Sequence, residues 1–218
     1  SWDPLPPGED FIESTDESGE SVRYRRGTTN AWSVLSVDPE RNLVFVPTGN
    51  TAPDYYGGTR EGLDYYSSSI VALDARTGVV RWFFQTVHHD VWDYDVPCPP
   101  ILVDITVDGR QIQAVAQPTK QGWVYVFDRL TGEPVWPIEE RPVPAGTVPG
   151  EWYAPTQPFP SKPAPFDLQG LTVDDLIDFT PQLRAEAIEI ASQYRTGPIF
   201  TPPSLEGAAD GPKGVIQS

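Results

Sequence analysis

One short pattern occurs twice in the chain and constrains its fold more than any other feature. The segments VALDARTGVVRW (71–82) and YVFDRLTGEPVW (125–136) share an Asp, a Thr-Gly pair and a Trp at the same spacing, and the second copy lies 54 residues after the first. In each copy the Asp begins a tight turn, the Gly can adopt the positive φ that closes it, and the following strand carries the Trp. A hairpin repeat of this length is typical of a β-propeller blade, where a Trp at a fixed place can fill the seam between neighbouring sheets.

Short apolar runs separated by turn signals fill residues 31–137. Asp108-Gly109 stands between two β-rich runs, and such a dipeptide is among the strongest short hairpin signals. The segment DPERN (38–42) is likewise rich in residues that favour turns. No part of this region shows the 3.6-residue periodicity of a helix. We therefore predict an all-β region whose strands lie at 31–37, 43–48, 69–74, 79–86, 101–107, 111–117, 122–128 and 133–137.

The flanks of this region differ from it in composition. Residues 1–30 are polar and acidic without periodicity, so we predict a surface loop or insertion there. Residues 138–170 are rich in Pro and should be extended or irregular. A helix is predicted within an insertion at 172–195, because Thr180 suits the N-cap, Pro181 suits the first helical position, and apolar residues follow at helical spacing.

The length of the chain limits how much of a propeller it can form. A propeller closes with roughly 4–8 blades, whereas two repeats and their flanks supply chain for about three or four. We therefore predict that residues 1–218 form part of one propeller domain, an arc of a larger ring.

Charge, hydropathy and cysteine count exclude several classes of protein. The formal net charge of −16 argues against a nucleic-acid partner, because binding to phosphates requires Lys and Arg. No run of about 18 apolar residues occurs, so no membrane-spanning helix is predicted in this sequence. Cys98 is the single cysteine, which excludes an intrachain disulfide and a metal site built from several cysteines.

Two sequence blocks resemble a known enzyme family. TVHHDVWDYDVPCPP (86–100), followed by QPTKQGWVYVFDRLTG (117–132), resembles the membrane-bound quinoprotein glucose dehydrogenases, which use pyrroloquinoline quinone (PQQ). Further similar blocks occur in the same order, so the resemblance covers roughly residues 30–207. It implies an eight-bladed propeller with PQQ and a divalent ion, usually Ca²⁺, near its axis. It also implies a periplasmic enzyme, anchored in the inner membrane, that oxidises an aldose, a polyol or a cyclitol and passes electrons to ubiquinone.

The same resemblance implies roles for residues near an ion. Asp93 occupies the position of the catalytic base, which takes the proton of the substrate hydroxyl and can also touch the ion. Asp95 would share a face with Asp93 on an extended chain, and two close carboxylates favour a cation between them. Asn50 matches a position that gives an amide oxygen to the ion, although Asn is also favoured in left-handed turns. The triplet at 93–95 further resembles that of lanthanide-using methanol dehydrogenases, which makes a lanthanide the alternative ion.

Three further residues are candidates for contact with the cofactor. Lys120 matches the lysine that hydrogen-bonds the quinone oxygens and stabilises the negative charge formed on reduction. Trp32 matches the tryptophan on which the planar cofactor stacks, the alternative being a core Trp between blades. The family often has a Thr in the loop after Asn50 where this chain has Ala52, so the neighbouring Thr51 is the candidate there.

The sequence therefore predicts a catalytic segment of a PQQ-dependent dehydrogenase that oxidises an aldose or a related polyol. The 218 residues alone should be inactive and prone to self-association, because an incomplete propeller leaves strand edges open. Two alternatives stay open: a non-catalytic propeller scaffold and a quinoprotein alcohol dehydrogenase. The presence of both Asp93 and Lys120 favours an enzyme, since a scaffold requires neither.

Overall fold

The computed structural model describes residues 29–60, 64–207 and 213–217, together with the backbone of two earlier strands. Those strands, β1 (Phe11–Thr15) and β2 (Ser21–Arg25), pair antiparallel within the segment predicted to be a loop. Of the predicted loop or insertion, the loop is therefore wrong for these two stretches, because strand pairing uses backbone groups that a polar sequence also possesses. A paired hairpin is compatible with an insertion. The rest of residues 1–28 lies outside the described part.

The first blade is a four-stranded antiparallel sheet. Its strands are β3 (Ser36–Asp38), β4 (Leu43–Pro47), β5 (Ser69–Asp74) and β6 (Val80–Gln85), hydrogen-bonded in chain order. Burial alternates along β4, and most of β5 is buried, as expected for strands in the middle of a packed sheet. The predicted strands at 43–48, 69–74 and 79–86 are confirmed, whereas the one predicted at 31–37 is wrong in its bounds, because β3 starts only at Ser36 and includes Asp38 from the predicted turn.

The second blade contains three strands in the structure rather than four. They are β7 (Ile101–Val107), β8 (Arg110–Pro118) and β9 (Val124–Asp128), again hydrogen-bonded in chain order. The predicted fourth strand at 133–137 makes an isolated bridge, in which Phe127 faces Pro134, and is not a strand. Two of its five residues are Pro, which have no N–H to contribute to a ladder.

Residues 138–170 are more regular than their prolines suggested. β10 (Ile138–Pro142) pairs antiparallel with β11 (Thr156–Pro160), so these two segments are extended, as one of the two predicted possibilities had it, but their pairing was not predicted. In a two-stranded sheet both strands are edges, and a Pro is tolerated where its missing N–H would face away from the partner.

The predicted helix is present and begins where expected. α1 spans Pro181–Ala191, and Thr180 caps it by accepting a hydrogen bond from the backbone N–H of Leu183 at 3.1 Å. It lies between β12 (Gly170–Leu171) and β13 (Gly197–Pro198), which pair with each other and close the insertion at its base. Across the described residues, no helix is long and apolar enough to cross a membrane.

The two copies of the repeat form the same turn. In the first, Oδ1 of Asp74 accepts hydrogen bonds from the backbone N–H and the hydroxyl of the Thr three residues later, both at 3.0 Å. In the second, Oδ1 of Asp128 accepts the equivalent bonds at 3.0 and 3.2 Å. Gly78 and Gly132 then close the turns with φ values of 72° and 74°. The repeat seen in the sequence is therefore a structural repeat, as predicted.

Trp82 joins the two blades in the way that the repeat predicted. Its ring lies 5.8 Å from Phe45 of the first blade and 5.7 Å from Phe127 of the second, measured between centroids. Its indole N–H donates to the carbonyl of Arg129 at 3.3 Å. A Cβ placed on Gly132 would come within 2.6 Å of the ring, so only glycine allows this close approach.

A buried ion pair also links the blades. Nη1 of Arg129, on the turn after β9, lies 3.2 Å from Oδ2 of Asp38 at the end of β3. Burial acts to raise the pKa of Asp38, but hydrogen bonds from Arg41 and Arg129 outweigh it and hold that pKa below its usual range. Together with Trp82, this pair connects the two blades.

Candidate functional site

The segment between the two blades, residues 86–100, carries the acidic motif. Its apolar residues are buried and anchor it to the core: Val87, Val91, Trp92, Tyr94 and Val96. Asp93 and Asp95 keep 31% and 15% of their side-chain surface exposed, whereas Asp90 is completely buried. Asp93 and Asp95 thus lie on the same exposed side, as predicted, although the chain is not extended here, since Asp93 has a φ of 63°.

Lys120 comes from the second blade and meets both exposed carboxylates. It lies in the turn between β8 and β9, where the N–H of Thr119 donates to the carbonyl of Trp123 at 2.9 Å. Its ammonium donates to the backbone carbonyl of Asp93 at 2.7 Å and lies 3.5 Å from Oδ2 of Asp93 and 3.3 Å from Oδ2 of Asp95. The structure thus brings these three predicted residues together from two blades.

Trp32 borders the same group. Its side chain is 58% exposed, so it is not the core Trp of the alternative interpretation. A Cβ placed on Gly49 would lie 2.8 Å from Oδ1 of Asp95 and 3.2 Å from Nε1 of Trp32, and the missing side chain lets both approach this point. We call Trp32, Asp93, Asp95 and Lys120 the Asp93 cluster.

Asn50 and Thr51 lie apart from the exposed part of this cluster. The amide oxygen of Asn50 accepts hydrogen bonds from Thr51 N at 2.7 Å, Arg60 Nη1 at 3.1 Å and Ser67 Oγ at 3.2 Å, so it is already fully engaged. Asn50 reaches Asp95 only through its backbone N–H, which donates to that carboxylate. Its φ is not positive, so it is not the left-handed turn residue of the alternative either.

The hydroxyl of Thr51 is engaged in the interior. It shares a hydrogen bond of 3.0 Å with the hydroxyl of Thr29, and Thr51 is only 1% exposed. A cofactor lying on the surface of the Asp93 cluster would not reach this side chain as it stands.

The electrostatics of the cluster favour a carboxyl group that can hold a proton. Partial burial and the negative charge of Asp95 raise the pKa of Asp93, and the ammonium of Lys120 opposes this only in part. Tyr55 lies beside Asp93, and its own pKa is raised by burial and then by the Asp93 charge. A carboxylate of raised pKa next to a fixed cation is suited to accepting a proton while negative charge develops nearby.

Two residues of the site were missed by the sequence analysis. Arg60 is completely buried and joins Asn50 to Asp64 and to the carbonyl of Asp90, with contacts of 3.1, 3.0 and 2.6 Å. Nothing in the local sequence distinguishes it from a surface arginine. Tyr55 follows Pro53-Asp54 in a loop, and only its tertiary position beside Asp93 marks it.

The residues present fit a planar acidic cofactor better than they fit a metal ion. The exposed indole of Trp32 offers a flat surface. The partly exposed ammonium of Lys120 can donate to a carbonyl or carboxylate oxygen of a cofactor in exchange for one of its longer contacts with Asp93 and Asp95. Asp93 and Asp95 supply oxygen donors of the kind that Ca²⁺ prefers, but Ca²⁺ takes 6–8 of them. Within the described part of the chain, no group of three or more His, Cys, Asp or Glu could hold a metal ion.

Comparison with known proteins agrees with this geometry. Residues 1–215 match the family described as glucose/ethanol/alcohol dehydrogenase, beta-propeller domain, of the PQQ type. The glycerol dehydrogenase large subunit of Gluconobacter thailandicus is 42% identical over 188 residues, which are 84% of this chain and 25% of that protein. The quinoprotein glucose dehydrogenase of Escherichia coli K12 is 42% identical over 186 residues, which are 82% of this chain and 22% of that protein.

A third relative acts on another class of compound. The quinate/shikimate dehydrogenase (quinone) of Acinetobacter baylyi is 39% identical over 183 residues, which are 83% of this chain and 22% of that protein. The chain thus spans about a quarter of the length of the relatives it matches. The repeated blades, the Trp82 seam and the match over residues 1–215 lead to one assignment: the chain belongs to the PQQ-dependent quinoprotein dehydrogenases and forms part of their β-propeller domain.

Proposed function

We propose that this chain is the catalytic segment of a PQQ-dependent dehydrogenase that oxidises a carbinol of a polyhydroxylated substrate, an aldose, polyol or cyclitol. The observation that carries the proposal is the meeting of Asp93 with Lys120 across the two blades, beside the exposed ring of Trp32. A propeller that served only as a scaffold would have no use for a half-exposed base and cation in this arrangement.

Three members of the Asp93 cluster have distinct tasks in this proposal. Asp93 accepts the proton of the substrate hydroxyl, for which its raised pKa and partial exposure suit it. Lys120 donates hydrogen bonds to the quinone oxygens and stabilises negative charge there. Trp32 provides the surface on which the flat ring system stacks. When bound, PQQ supplies the two-electron oxidant that takes the hydride of the carbinol carbon.

The ion of this proposal is Ca²⁺, with a lanthanide as the alternative. Asp93 and Asp95 would hold it through their carboxylate oxygens. The amide oxygen of Asn50 would bind the ion only after it gives up the hydrogen bond from Arg60. A contact of Thr51 with the cofactor would require its hydroxyl to give up the hydrogen bond with Thr29. Any remaining donors would have to come from outside the described residues.

The substrate class is inferred from the names of the relatives. Glycerol, glucose and quinate all carry a carbinol flanked by further hydroxyl groups, and the dehydrogenases named for them are 39–42% identical to this chain. We further propose that the electrons pass to ubiquinone, and that the complete protein works in the periplasm while anchored in the inner membrane. The word quinone in the name of the quinate enzyme supports the acceptor.

We also propose that the 218 residues alone do not form a working cofactor site. The chain provides two blades and part of their surroundings, and it spans about a quarter of its relatives. Open sheet edges and exposed apolar side chains such as Val34, Leu35, Val37 and Ile101 would then favour association with further blades or with a second copy.

The experiment that tests the function uses the complete propeller that carries this chain, reconstituted with PQQ and Ca²⁺. Reduction of the bound cofactor is followed by its absorbance after mixing with glucose, glycerol, quinate or ethanol. We expect at least one polyhydroxylated compound to reduce it and ethanol to do so at least ~100-fold more slowly, since a site built to pair hydroxyl groups rejects an analogue that lacks them. Fast reduction by ethanol alone would support the alcohol dehydrogenase alternative, and bound cofactor that no compound reduces would contradict the proposed function.

A further inference from the structure

The side chain of Asp90 is a buried acceptor for three donors. It is 0% exposed, and its Oδ1 accepts a hydrogen bond from the backbone N–H of Trp92 at 2.9 Å. Its Oδ2 accepts one from the N–H of Tyr94 at 2.8 Å and one from the hydroxyl of Ser68 at 2.7 Å. A buried carboxylate with this set of donors is well satisfied, and each bond to the ionised group is of the strong, charge-assisted kind.

The two backbone donors stand on either side of Asp93. Asp93 has a φ of 63°, in the left-handed region that residues with a side chain rarely adopt. Asp adopts this region more readily than most residues with a side chain, and at Asp93 the conformation is further held by hydrogen bonds on both sides. The carboxylate of Asp90 ties the amide before Asp93 and the amide after it, and so imposes the turn that directs the chain out to the exposed cluster.

The backbone of Asp90 is also fixed. Its carbonyl accepts hydrogen bonds from Arg60 Nη2 at 2.6 Å and from Asn50 Nδ2 at 3.1 Å. Arg60 is itself held by Asp64, which also lies 2.7 Å from the buried ring of His89. Asp90 is thus joined through its carbonyl to the interior of the first blade and through its carboxylate to the Asp93 turn.

We propose that Asp90 is a positioning residue for the reaction: it holds the Asp93 carboxylate beside Lys120, in the position from which Asp93 accepts the proton of the substrate hydroxyl. This inference rests on the proposed role of Asp93 as the base. Asp90 itself is buried beneath the turn and would touch neither substrate nor cofactor.

The test compares Asp90→Asn with Asp128→Asn in the complete, reconstituted protein. Asn has the size of Asp, but its amide nitrogen cannot accept the hydrogen bond of a backbone N–H, so one side of the Asp93 turn loses its tie. A displacement of about 1 Å at a reacting group can cost about 10²-fold. We therefore expect kcat to fall ~100-fold in Asp90→Asn, with KM and the affinity for PQQ within ~3-fold of wild type. Amide hydrogen exchange at residues 91–95 should become faster.

Asp128→Asn is the matched control, because Asp128 also ties two following amides, at 2.9 and 3.0 Å, in a turn remote from the cluster. Both amides bond to Oδ1, and Asn also has one such oxygen, so Asp128→Asn should have little effect on stability and should not change kcat by more than ~3-fold. If Asp90→Asn fails to fold, Asp90→Glu takes its place, since it keeps the carboxylate but displaces it by one methylene group. It should again lower kcat at nearly constant KM.

The possible outcomes separate this inference from the proposed function. A folded Asp90 variant with wild-type kcat would overturn the positioning role. Failure of both variants to fold would also overturn it, because Asp90 would then be purely structural. An inactive Asp93→Asn beside an unimpaired Asp90→Asn would overturn this inference alone. A fully active Asp93→Asn would overturn the proposed function, and the positioning role would fall with it.

Discussion

Replacing Asp93 by Asn is expected to slow reduction of the bound cofactor by substrate ~10²–10⁴-fold, the range that general-base catalysis contributes. Asn keeps the size of the side chain and an oxygen for an ion but cannot accept the proton. It also tolerates the φ of 63° at this position, because Asn is one of the few residues that adopt left-handed conformations. Stopped-flow absorbance with saturating PQQ measures the rate, and a titration with PQQ should show binding close to that of wild type.

Asp108→Asn is the matched control for that experiment. Asp108 lies in the turn between β7 and β8 with a φ of 50°, so the same chemical change is made in the same backbone region but outside the cluster. It should leave the rate of cofactor reduction unchanged. If Asp93→Asn reduced the quinone at nearly the wild-type rate, the base would be another residue.

Replacing Trp82 by Ala is expected to be the most destabilising single change in the seam between the blades. Truncation of a buried aromatic residue costs about 3–5 kcal/mol, and since Trp82 is only partly buried we expect a loss of about 3 kcal/mol in the free energy of unfolding. Truncation would remove the packing of the ring against Phe45, Phe127 and Gly132. The carbonyl of Arg129 would lose its hydrogen-bond donor. Denaturation by urea, monitored by circular dichroism, measures the difference.

Trp136→Ala provides the comparison, because Trp136 occupies the same place in the second copy of the repeat. It is half-buried and is not among the aromatic residues packed on the buried cluster of the described chain. Its truncation in the 218-residue chain should therefore cost clearly less than that of Trp82. Equal losses for the two variants would mean that the seam does not depend on Trp82 docking against Gly132.

The parts of the fold that the sequence predicted are those encoded by contiguous residues. The turns at Asp74 and Asp128 follow from one side chain that accepts the N–H groups of the next residues, and the cap at Thr180 follows in the same way. Pairings between distant segments were harder to predict. β10 and β11 pair across a loop, and their prolines concealed them.

In the candidate site too, local sequence patterns were predictable and tertiary contacts were not. The motif at 86–100 and the turn at Lys120 carry enough local pattern to be recognised, and the structure brings Asp93, Asp95 and Lys120 together. The orientation of the Asn50 amide could not be predicted, because it depends on Arg60, whose burial has no signature in the sequence. Tertiary hydrogen bonds decide which polar side chains of a motif remain free to bind a ligand.

A titration with PQQ in the presence of Ca²⁺ tests most directly whether the Asp93 cluster binds this cofactor. The chain has three lysines, so Lys120→Ala can be compared with Lys162→Ala, which removes an exposed ammonium elsewhere. Hydrogen bonds to charged groups contribute about 1.5–3 kcal/mol, which corresponds to a loss of affinity of roughly 10–100-fold. We expect that loss in the complete protein with Lys120→Ala and wild-type affinity with Lys162→Ala. Equal affinity in all three proteins would contradict the assignment of the cofactor to this cluster.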